Sequence, residues 1–260
     1  MLGCIMNDSD HEQRRTFSRR VARRLTGMVR VAPFLRSDTR FHLSFAFDDC
    51  PDSACTRGIE ILEERSLQAT FFIATGLLGQ DGVSGPITTP SRLRELAARG
   101  HEIALHTHAH GDLTHVPVAE AISDIERNIK ALQDILGEAP SPHFAYPYGE
   151  TTLTLKRALV PHVTTARGVR SGVNRAFADR MQLFACDLGS HRPDYVAAAR
   201  RMMKHAATTG GWLVMFTHDV RPDPSPYGVT PEILESLLDD STALGAQLLP
   251  VRDDWARLSG

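Results

Sequence analysis

Residues 45–51 read Phe45-Ala46-Phe47-Asp48-Asp49-Cys50-Pro51, and the rest of the sequence is organised around them. Large apolar residues alternate with small ones as far as Phe47, and this period of two predicts a β-strand. The strand ends on two adjacent carboxylates, Asp48 and Asp49, which cannot both be buried and ionised without a cation or another partner nearby. Acids at the C-terminal tip of a strand are typical of an α/β active site. The alternative interpretation is a solvated acidic pair that caps the next helix.

From residue 41 onward, predicted strands and helices alternate. Strand-like runs lie near 42–47, 68–74, 102–106, 143–146, 162–166, 182–187, 212–217 and 246–250, and helix-like segments near 53–66, 90–99, 117–136, 150–159, 193–207 and 231–244. This alternation predicts an α/β fold of parallel strands with right-handed crossovers. Seven or eight such units favour a barrel over an open doubly wound sheet, because a barrel has no edges and the sequence has no Gly-rich phosphate loop.

The bulk composition restricts the class of protein. The chain has 260 residues, 42% of them hydrophobic, and a formal net charge of −2, so it can bury a full core and lacks the positive excess of a nucleic-acid-binding protein. No apolar run is long enough to span a bilayer, and the N-terminus lacks the apolar region of a secretory signal. We therefore expect a cytoplasmic protein, in which the nearby cysteines Cys50 and Cys55 are reduced.

Residues 1–40 differ from residues 41–260, and we interpret them as a basic extension of the main domain. Seven arginines lie between residues 14 and 30, and apolar residues recur among them at helical spacing. One interpretation is a helix that packs its apolar stripe on the main domain, or a partly disordered arm. The other is a basic amphipathic helix that contacts an anionic membrane surface through residues 12–30.

Histidines with metal-ligand spacing occur in His106-Thr107-His108-Ala109-His110, directly after a predicted strand. If the chain turns helical after the strand, His106 and His110 share one face. Two imidazoles and one carboxylate of the acidic pair give three ligands with open positions, which is the pattern of a catalytic zinc site. His108 would point away from that site. In a barrel, the acidic pair and this segment converge at the same rim.

Two further predicted strands end in residues that could take part in catalysis. Residues 144–149, Phe-Ala-Tyr-Pro-Tyr-Gly, lead into a tight turn whose backbone N–H could serve an oxyanion, or whose aromatic rings simply pack the barrel mouth. Residues 212–219 end in His218 beside an acid, and a histidine at a strand tip suits a general acid. A hydrogen-bonded histidine at the edge of the core is the alternative. The long loops 75–89, 167–181 and 218–230 would shape the substrate site.

Together, these motifs resemble those of the NodB-homology polysaccharide deacetylases, metal-dependent N-deacetylases with a distorted (β/α)7–8 barrel. The resemblance covers about residues 40–250. The family's Thr-Phe-Asp-Asp motif reads Ala-Phe-Asp-Asp here, which implies that Asp48 is the catalytic base and Asp49 a metal ligand. The family's His-(Ser/Thr)-x-x-His motif is complete, which implies that His106 and His110 are the other two ligands. The family's catalytic histidine corresponds to His218.

The family's Arg-x-Pro-Tyr motif is matched only in part. The residues Pro147, Tyr148 and Gly149 align, which implies a substrate contact at Pro147 and an oxyanion donor at the backbone of Tyr148. The arginine position, however, carries Ala145. In the family, that arginine orients the catalytic aspartate.

This sequence resembles a subgroup that supplies the missing arginine from elsewhere. Arg167 and Arg170 are the candidates, with Asn174 as a candidate substrate contact, and ordinary solvation of two loop arginines is the alternative. Asp187 is the nearest match to a further acidic motif of the family.

The resemblance implies a hydrolase that removes an N-acetyl group from an amino sugar or glycan intermediate. Its cofactor would be a divalent metal, zinc by ligand type, although Co²⁺, Ni²⁺ and Fe²⁺ also suit two histidines and an aspartate. Two alternatives stay open: hydrolysis of another non-peptide C–N bond, such as a cyclic amide, and a non-catalytic binding module. We expect no nucleic-acid partner. The missing signal favours an intracellular sugar intermediate, linked to a nucleotide or a lipid.

Overall fold

The computed structural model describes residues 26, 27 and 29–259. The strands are β1 (Pro33–Phe34), β2 (Phe41–Asp48), β3 (Thr70–Ile73), β4 (Asp81–Gly82), β5 (Gly85–Pro86), β6 (Glu102–Leu105), β7 (Ser141–Ala145), β8 (Thr165–Arg167), β9 (Ala178–Asp179), β10 (Cys186–Asp187), β11 (Gly211–Thr217) and β12 (Gln247–Leu248). The α-helices are α1 (Ile59–Glu63), α2 (Pro90–Ala98), α3 (Val118–Leu136), α4 (Leu153–Leu159), α5 (Tyr195–Thr209), α6 (Pro231–Ala243) and α7 (Val251–Ser259).

The central sheet is parallel throughout, with the strand order β10-β11-β2-β3-β6-β7-β8 and with β12 paired to the start of β2. The chain between β9 and β10 fills the gap beyond β8, where the N–H of Leu183 donates to the carbonyl of Ala166 at 2.8 Å. The sheet therefore curls into a distorted (β/α) barrel with the helices outside it, as the alternation in the sequence predicts.

Strand β2 separates two apolar cores, and its alternating sequence explains why. Its outward-facing residues, Phe41, Leu43, Phe45 and Phe47, are buried between the sheet and the helices. Ala46 faces inward and belongs to the core inside the barrel, with Trp212 and Phe216 of β11. Because side chains alternate along a strand, Asp48 also faces the interior, at the C-terminal end of β2.

The barrel interior is polar at the end where β2 begins, and α7 closes it there. This helix was not predicted from the sequence. Asp254 of α7 accepts hydrogen bonds from His42 at 2.8 Å and from Ser44 at 2.7 Å. Another difference lies at residues 53–66, predicted as one helix, because α1 is preceded by a π-helical turn at Ala54–Gly58. The predicted helices 90–99, 117–136 and 231–244 are confirmed, and each is followed by a glycine with a positive φ angle: Gly100 at 90°, Gly137 at 79° and Gly245 at 76°.

The described part of the N-terminal segment packs on the barrel. Strand β1 pairs with β9 in antiparallel register. Lys156 donates to the carbonyl of Val29 at 2.8 Å and forms a buried ion pair with Asp179 at 2.7 Å. Most of the predicted membrane-contacting segment, residues 12–25, lies outside the described residues. Among the helices of the described part, none is both long and apolar enough to cross a bilayer.

Candidate active site

The C-terminal ends of β2 and β6, which lie on either side of β3 in the sheet, place the predicted ligands together. Asp49 follows β2, and His106 and His110 follow β6, so parallel strands bring them to the same rim. The Oδ1 atom of Asp49 lies 3.6 Å from Nε2 of His106 and 3.3 Å from Nε2 of His110. One ligand atom from each of the three residues lies within 4.8 Å of the others.

The chemistry of these three side chains fits a divalent cation. Oδ1 of Asp49 is buried and receives no hydrogen bond, and burial raises the pKa of this carboxyl to about 6. Burial lowers the pKa of His106 to about 3 and also lowers that of His110, so both imidazoles are neutral, the form that binds metals. Nδ1 of His106 donates to the carbonyl of Ala145 at 2.8 Å, which directs Nε2 toward Asp49.

Residues 106–110, which we call the histidine loop, are not helical, so the expectation of a helical turn is wrong. Thr107 and His110 adopt left-handed conformations, with φ angles of 69° and 53°. The hydroxyl of Thr107 accepts a hydrogen bond from the N–H of His110 at 3.0 Å and closes the turn. The rings of His106 and His110 lie 4.9 Å apart, and His108 points away to bond with Thr75.

Asp48 is buried beside the three ligands and is held by Arg167. The Nη2 atom of Arg167 donates to Oδ1 of Asp48 in a buried ion pair. The guanidinium lies 4.6 Å and 4.3 Å from the ring centroids of Phe72 and Phe216. Burial is the largest influence and raises the pKa of Asp48, but the charge and the hydrogen bond of Arg167, together with the nearby His106 and His218, hold this pKa below its ordinary value. The carboxyl is therefore ionised at neutral pH.

Two exposed aromatic rings flank the site. The Tyr148 ring is 60% exposed and lies 5.0 Å from the ring of His110. On the other side, Nε2 of His218 lies 4.0 Å from Oδ2 of Asp49. The ring of His218 lies 5.5 Å from the ring of Tyr227. The predicted catalytic residues Tyr148 and His218 therefore adjoin the ligands. Tyr227 was not predicted as a site residue, although the loop 218–230 was expected to shape the site.

The turn that presents Tyr148 requires glycine at its next position. Gly149 has a φ angle of 67°, and a Cβ atom there would lie 2.4 Å from Cγ2 of Val169. Pro147 is buried, so it shapes the turn and does not present a surface to substrate.

Two other candidates require correction. Arg170 is exposed and stacks on Phe184, 5.3 Å from the ring centroid, so the missing arginine is supplied by Arg167 and not by Arg170. Asn174 is buried, and its amide donates to the carbonyl of Trp212 at 3.2 Å, at the end of β11 opposite to the site, so it is misplaced for the predicted substrate contact. Asp187, the nearest match to the further acidic motif, lies 3.3 Å from Nε2 of His191.

The cysteines next to the acidic pair also differ from the prediction. Cys50, directly after Asp49, is joined to Cys55 by a disulfide, with the Cα atoms 6.5 Å apart, whereas the sequence analysis expected a reduced pair. The prediction relied on the redox compartment alone, but the fold also matters, because the π-helical turn at Ala54–Gly58 brings Cys55 back toward Cys50.

Helix α3 contributes two polar side chains that the sequence analysis missed. Asp124 and Asn128 accept hydrogen bonds from backbone N–H groups of the histidine loop. A signal was present, because Asn128 interrupts an otherwise apolar buried stripe of Ala121, Ile125 and Leu132.

Comparison with known proteins adds to this geometry. Residues 36–162 match the sequence profile of the polysaccharide deacetylase family. This segment, nearly half of the chain, therefore resembles the polysaccharide deacetylases. The chain is 30% identical over 104 residues to a chitooligosaccharide deacetylase of Bradyrhizobium sp. (strain ANU 289). The match covers 40% of this chain and 44% of the relative, so the chain spans less than half of that relative's length.

Solved structures agree with the fold of this chain. The chitin deacetylase from Colletotrichum lindemuthianum has a TM-score of 0.61 at 18% identity, covering 87% of this chain and 92% of that chain. A family 4 acetyl xylan esterase from Clostridium thermocellum, solved with a cobalt ion, has a TM-score of 0.56 at 22% identity, covering 82% and 90%. The predicted distorted barrel is confirmed by these likenesses.

Proposed function

We propose that this protein hydrolyses the N-acetyl group of an amino sugar or glycan intermediate, with a divalent cation held by Asp49, His106 and His110. The observation that carries the proposal is the orphaned, buried Oδ1 of Asp49, which faces two neutral imidazoles beside an ionised Asp48. The names of the chitooligosaccharide and chitin deacetylases support this substrate class. Zinc is our first assignment by ligand type, and the cobalt ion in the related esterase supports a divalent ion of this kind.

When bound, such a cation would polarise the amide carbonyl and make an adjacent water more acidic. Asp48 is the base that takes the proton of the attacking water. Arg167 binds Oδ1 of Asp48, which fixes the carboxylate and leaves Oδ2 as the proton acceptor that we assign. Because Arg167 also keeps Asp48 ionised, the base is in its active form at neutral pH.

The other residues at the site complete the hydrolysis. The backbone N–H of Tyr148 donates to the oxygen that gains negative charge when water adds to the carbonyl carbon. His218 gives a proton to the nitrogen while the C–N bond breaks, which releases acetate and a free amine. The exposed rings of Tyr148 and Tyr227 offer apolar surfaces on which the faces of sugar rings can pack.

An acetate-release screen with matched variants tests this proposal. The panel contains chitooligosaccharides, a nucleotide-linked N-acetyl sugar and a cyclic amide. We expect acetate from at least one N-acetyl sugar, no turnover in Asp48→Asn, and normal turnover in the control Asp52→Asn, which changes an exposed carboxylate nearby. Hydrolysis of the cyclic amide without acetate release would favour the alternative C–N hydrolase. Metal binding without hydrolysis of any amide would favour a binding module.

We also propose that the basic segment of residues 12–30 contacts an anionic membrane surface. The seven arginines between residues 14 and 30 support this contact. So do two exposed apolar residues that flank the short β1–β9 sheet, Leu35 at 63% and Phe177 at 57% exposure, because β1 follows this segment closely in the sequence.

A further inference from the structure

The histidine loop is tied to helix α3 by two side chains that lie one helical turn apart. Oδ1 of Asn128 accepts a hydrogen bond from the N–H of His106 at 3.2 Å. Oδ2 of Asp124 accepts from the N–H of His108 at 3.0 Å and from the N–H of Ala109 at 3.1 Å. Because residues four apart share one face of a helix, α3 presents both acceptors to the same loop.

Asn128 joins the histidine loop to the neighbouring strand. Its carboxamide is fully buried, and Nδ2 donates to the carbonyl of Ile73 at 3.0 Å and to the hydroxyl of Thr75 at 3.0 Å. The partners leave only one orientation of the amide, because a backbone N–H needs the oxygen and a backbone carbonyl needs the nitrogen. Asn128 therefore fixes the end of β6 relative to the end of β3.

A third contact, made by the backbone of Gly76, also anchors the histidine loop. The N–H of Gly76 donates to the carbonyl of His108 at 2.8 Å, and a Cβ atom at this glycine would lie 2.6 Å from that oxygen. Thr75 bonds at once to Asn128 and to Nδ1 of His108. The backbone of the loop is thus held at residues 106, 108 and 109 by groups that are not themselves ligands.

The loop needs such anchors because its own sequence does not favour its conformation. Thr107 and His110 both have positive φ angles, which residues other than glycine and asparagine rarely adopt. A metal site also tolerates only small errors in ligand position, of about 0.5 Å. Without fixed backbone N–H partners, the loop would relax and separate the two imidazoles from Asp49.

We propose that Asp124 and Asn128 are positioning residues of the metal site, which preorganise His106 and His110 to face Asp49 before a cation binds. This inference rests on the proposed function, in which these three residues hold the cation. It assigns to α3 a role in metal affinity that is separate from its role in the core.

Cobalt affinity of the metal-free full-length protein tests the inference. Co²⁺ is titrated against a chelator, and its visible absorption reports the ligand geometry. We expect Asp124→Ala and Asn128→Ala to bind Co²⁺ about 10–100-fold more weakly than the unsubstituted protein, with an altered spectrum. Asp124→Asn should bind normally, because one carbonyl oxygen can replace the single Oδ2 that accepts both N–H groups. The control Asp134→Ala changes an exposed residue of the same helix and should have no effect.

Unfolding by denaturant, measured separately on the metal-free variants, distinguishes positioning from general stability. Asp124 is only half-buried, so Asp124→Ala remains informative if Asn128→Ala does not fold. Normal affinity and spectrum in folded Asp124→Ala would overturn the inference, as would equal losses in Asp124→Asn and Asp124→Ala. A failure of the unsubstituted protein to bind Co²⁺ would instead overturn the proposed function, and this inference with it.

Discussion

Ala145 and Arg167 are register partners on the neighbouring strands β7 and β8, and the arginine of this pair contacts Asp48. The resemblance to the deacetylase motifs places an arginine at the position of Ala145. Here, the guanidinium comes instead from the residue beside it in the sheet. Relative to that motif, the arginine of this chain lies on the next strand, still inside the barrel. Asp48 therefore has a cationic partner.

Moving the arginine back to β7 tests this relationship. Arg167→Ala should cost about 3–5 kcal/mol of stability, because it leaves Asp48 buried without its partner. The pKa of Asp48 should then rise, so the acid limb of the pH–rate profile moves to higher pH. In Ala145→Arg/Arg167→Ala, both properties should partly recover. Arg170→Ala is the control, and activity that survives Arg167→Ala unchanged would contradict this role.

The leaving group should decide how much His218 matters. His218→Gln should slow hydrolysis of an N-acetyl amide by about 10²–10⁴-fold, because the departing nitrogen needs a proton. The loss should be small for p-nitrophenyl acetate, whose leaving group departs without one. Rates on the two substrates are compared with those of His191→Gln, a nearby histidine that pairs with Asp187. Equal losses on both substrates would argue against a general acid.

The buried pair of Lys156 and Asp179 should make stability depend on pH. Burial would raise the pKa of Asp179, but hydrogen bonds from Lys156 and from three backbone N–H groups outweigh it and lower this pKa. The stability that Asp179 contributes is therefore fully present above its unfolded pKa of about 3.9. It is lost as the pH falls through the lower pKa of the folded state.

Urea unfolding between pH 7 and pH 3 measures this effect. At pH 7, the free energy of unfolding of Asp179→Asn should be lower than that of the unsubstituted protein by about 3 kcal/mol or more, because Lys156 stays buried without its partner. This difference should shrink on acidification. Asp134→Asn, in an exposed pair with Lys130, should show no comparable change. A difference that stays constant with pH would show that Asp179 does not titrate as proposed.

The basic segment should bind anionic vesicles through its arginines. Replacing Arg19, Arg20, Arg23 and Arg24 by Gln should release the protein from phosphatidylserine vesicles in a flotation assay, because each arginine near such a surface contributes on the order of 1 kcal/mol. Neutral phosphatidylcholine vesicles are the control. If both proteins float equally with anionic vesicles, the membrane contact is wrong.

The parts of the fold that follow from local periodicity could be predicted from the sequence. The period of two in β2 identified the strand, and the convergence of parallel strand ends grouped Asp49 with His106 and His110. The sequence offered Arg167 and Arg170 as sources of the missing arginine, but the choice between them depends on strand register, because nothing in the local sequence shows that Arg167 lies beside Ala145. Helix α7 was missed for a similar reason: its Asp254 reads as a solvated charge and is buried only through His42 and Ser44.

The metal content of the purified protein tests the central claim most directly. After loading with Zn²⁺ and desalting, mass spectrometry of the metal should find one Zn²⁺ per chain in the unsubstituted protein and in the control His205→Ala, which changes an exposed histidine of α5. Asp49→Ala, His106→Ala and His110→Ala should each retain far less than one equivalent. Full retention of zinc in these three variants, or none in the unsubstituted protein, would contradict the account.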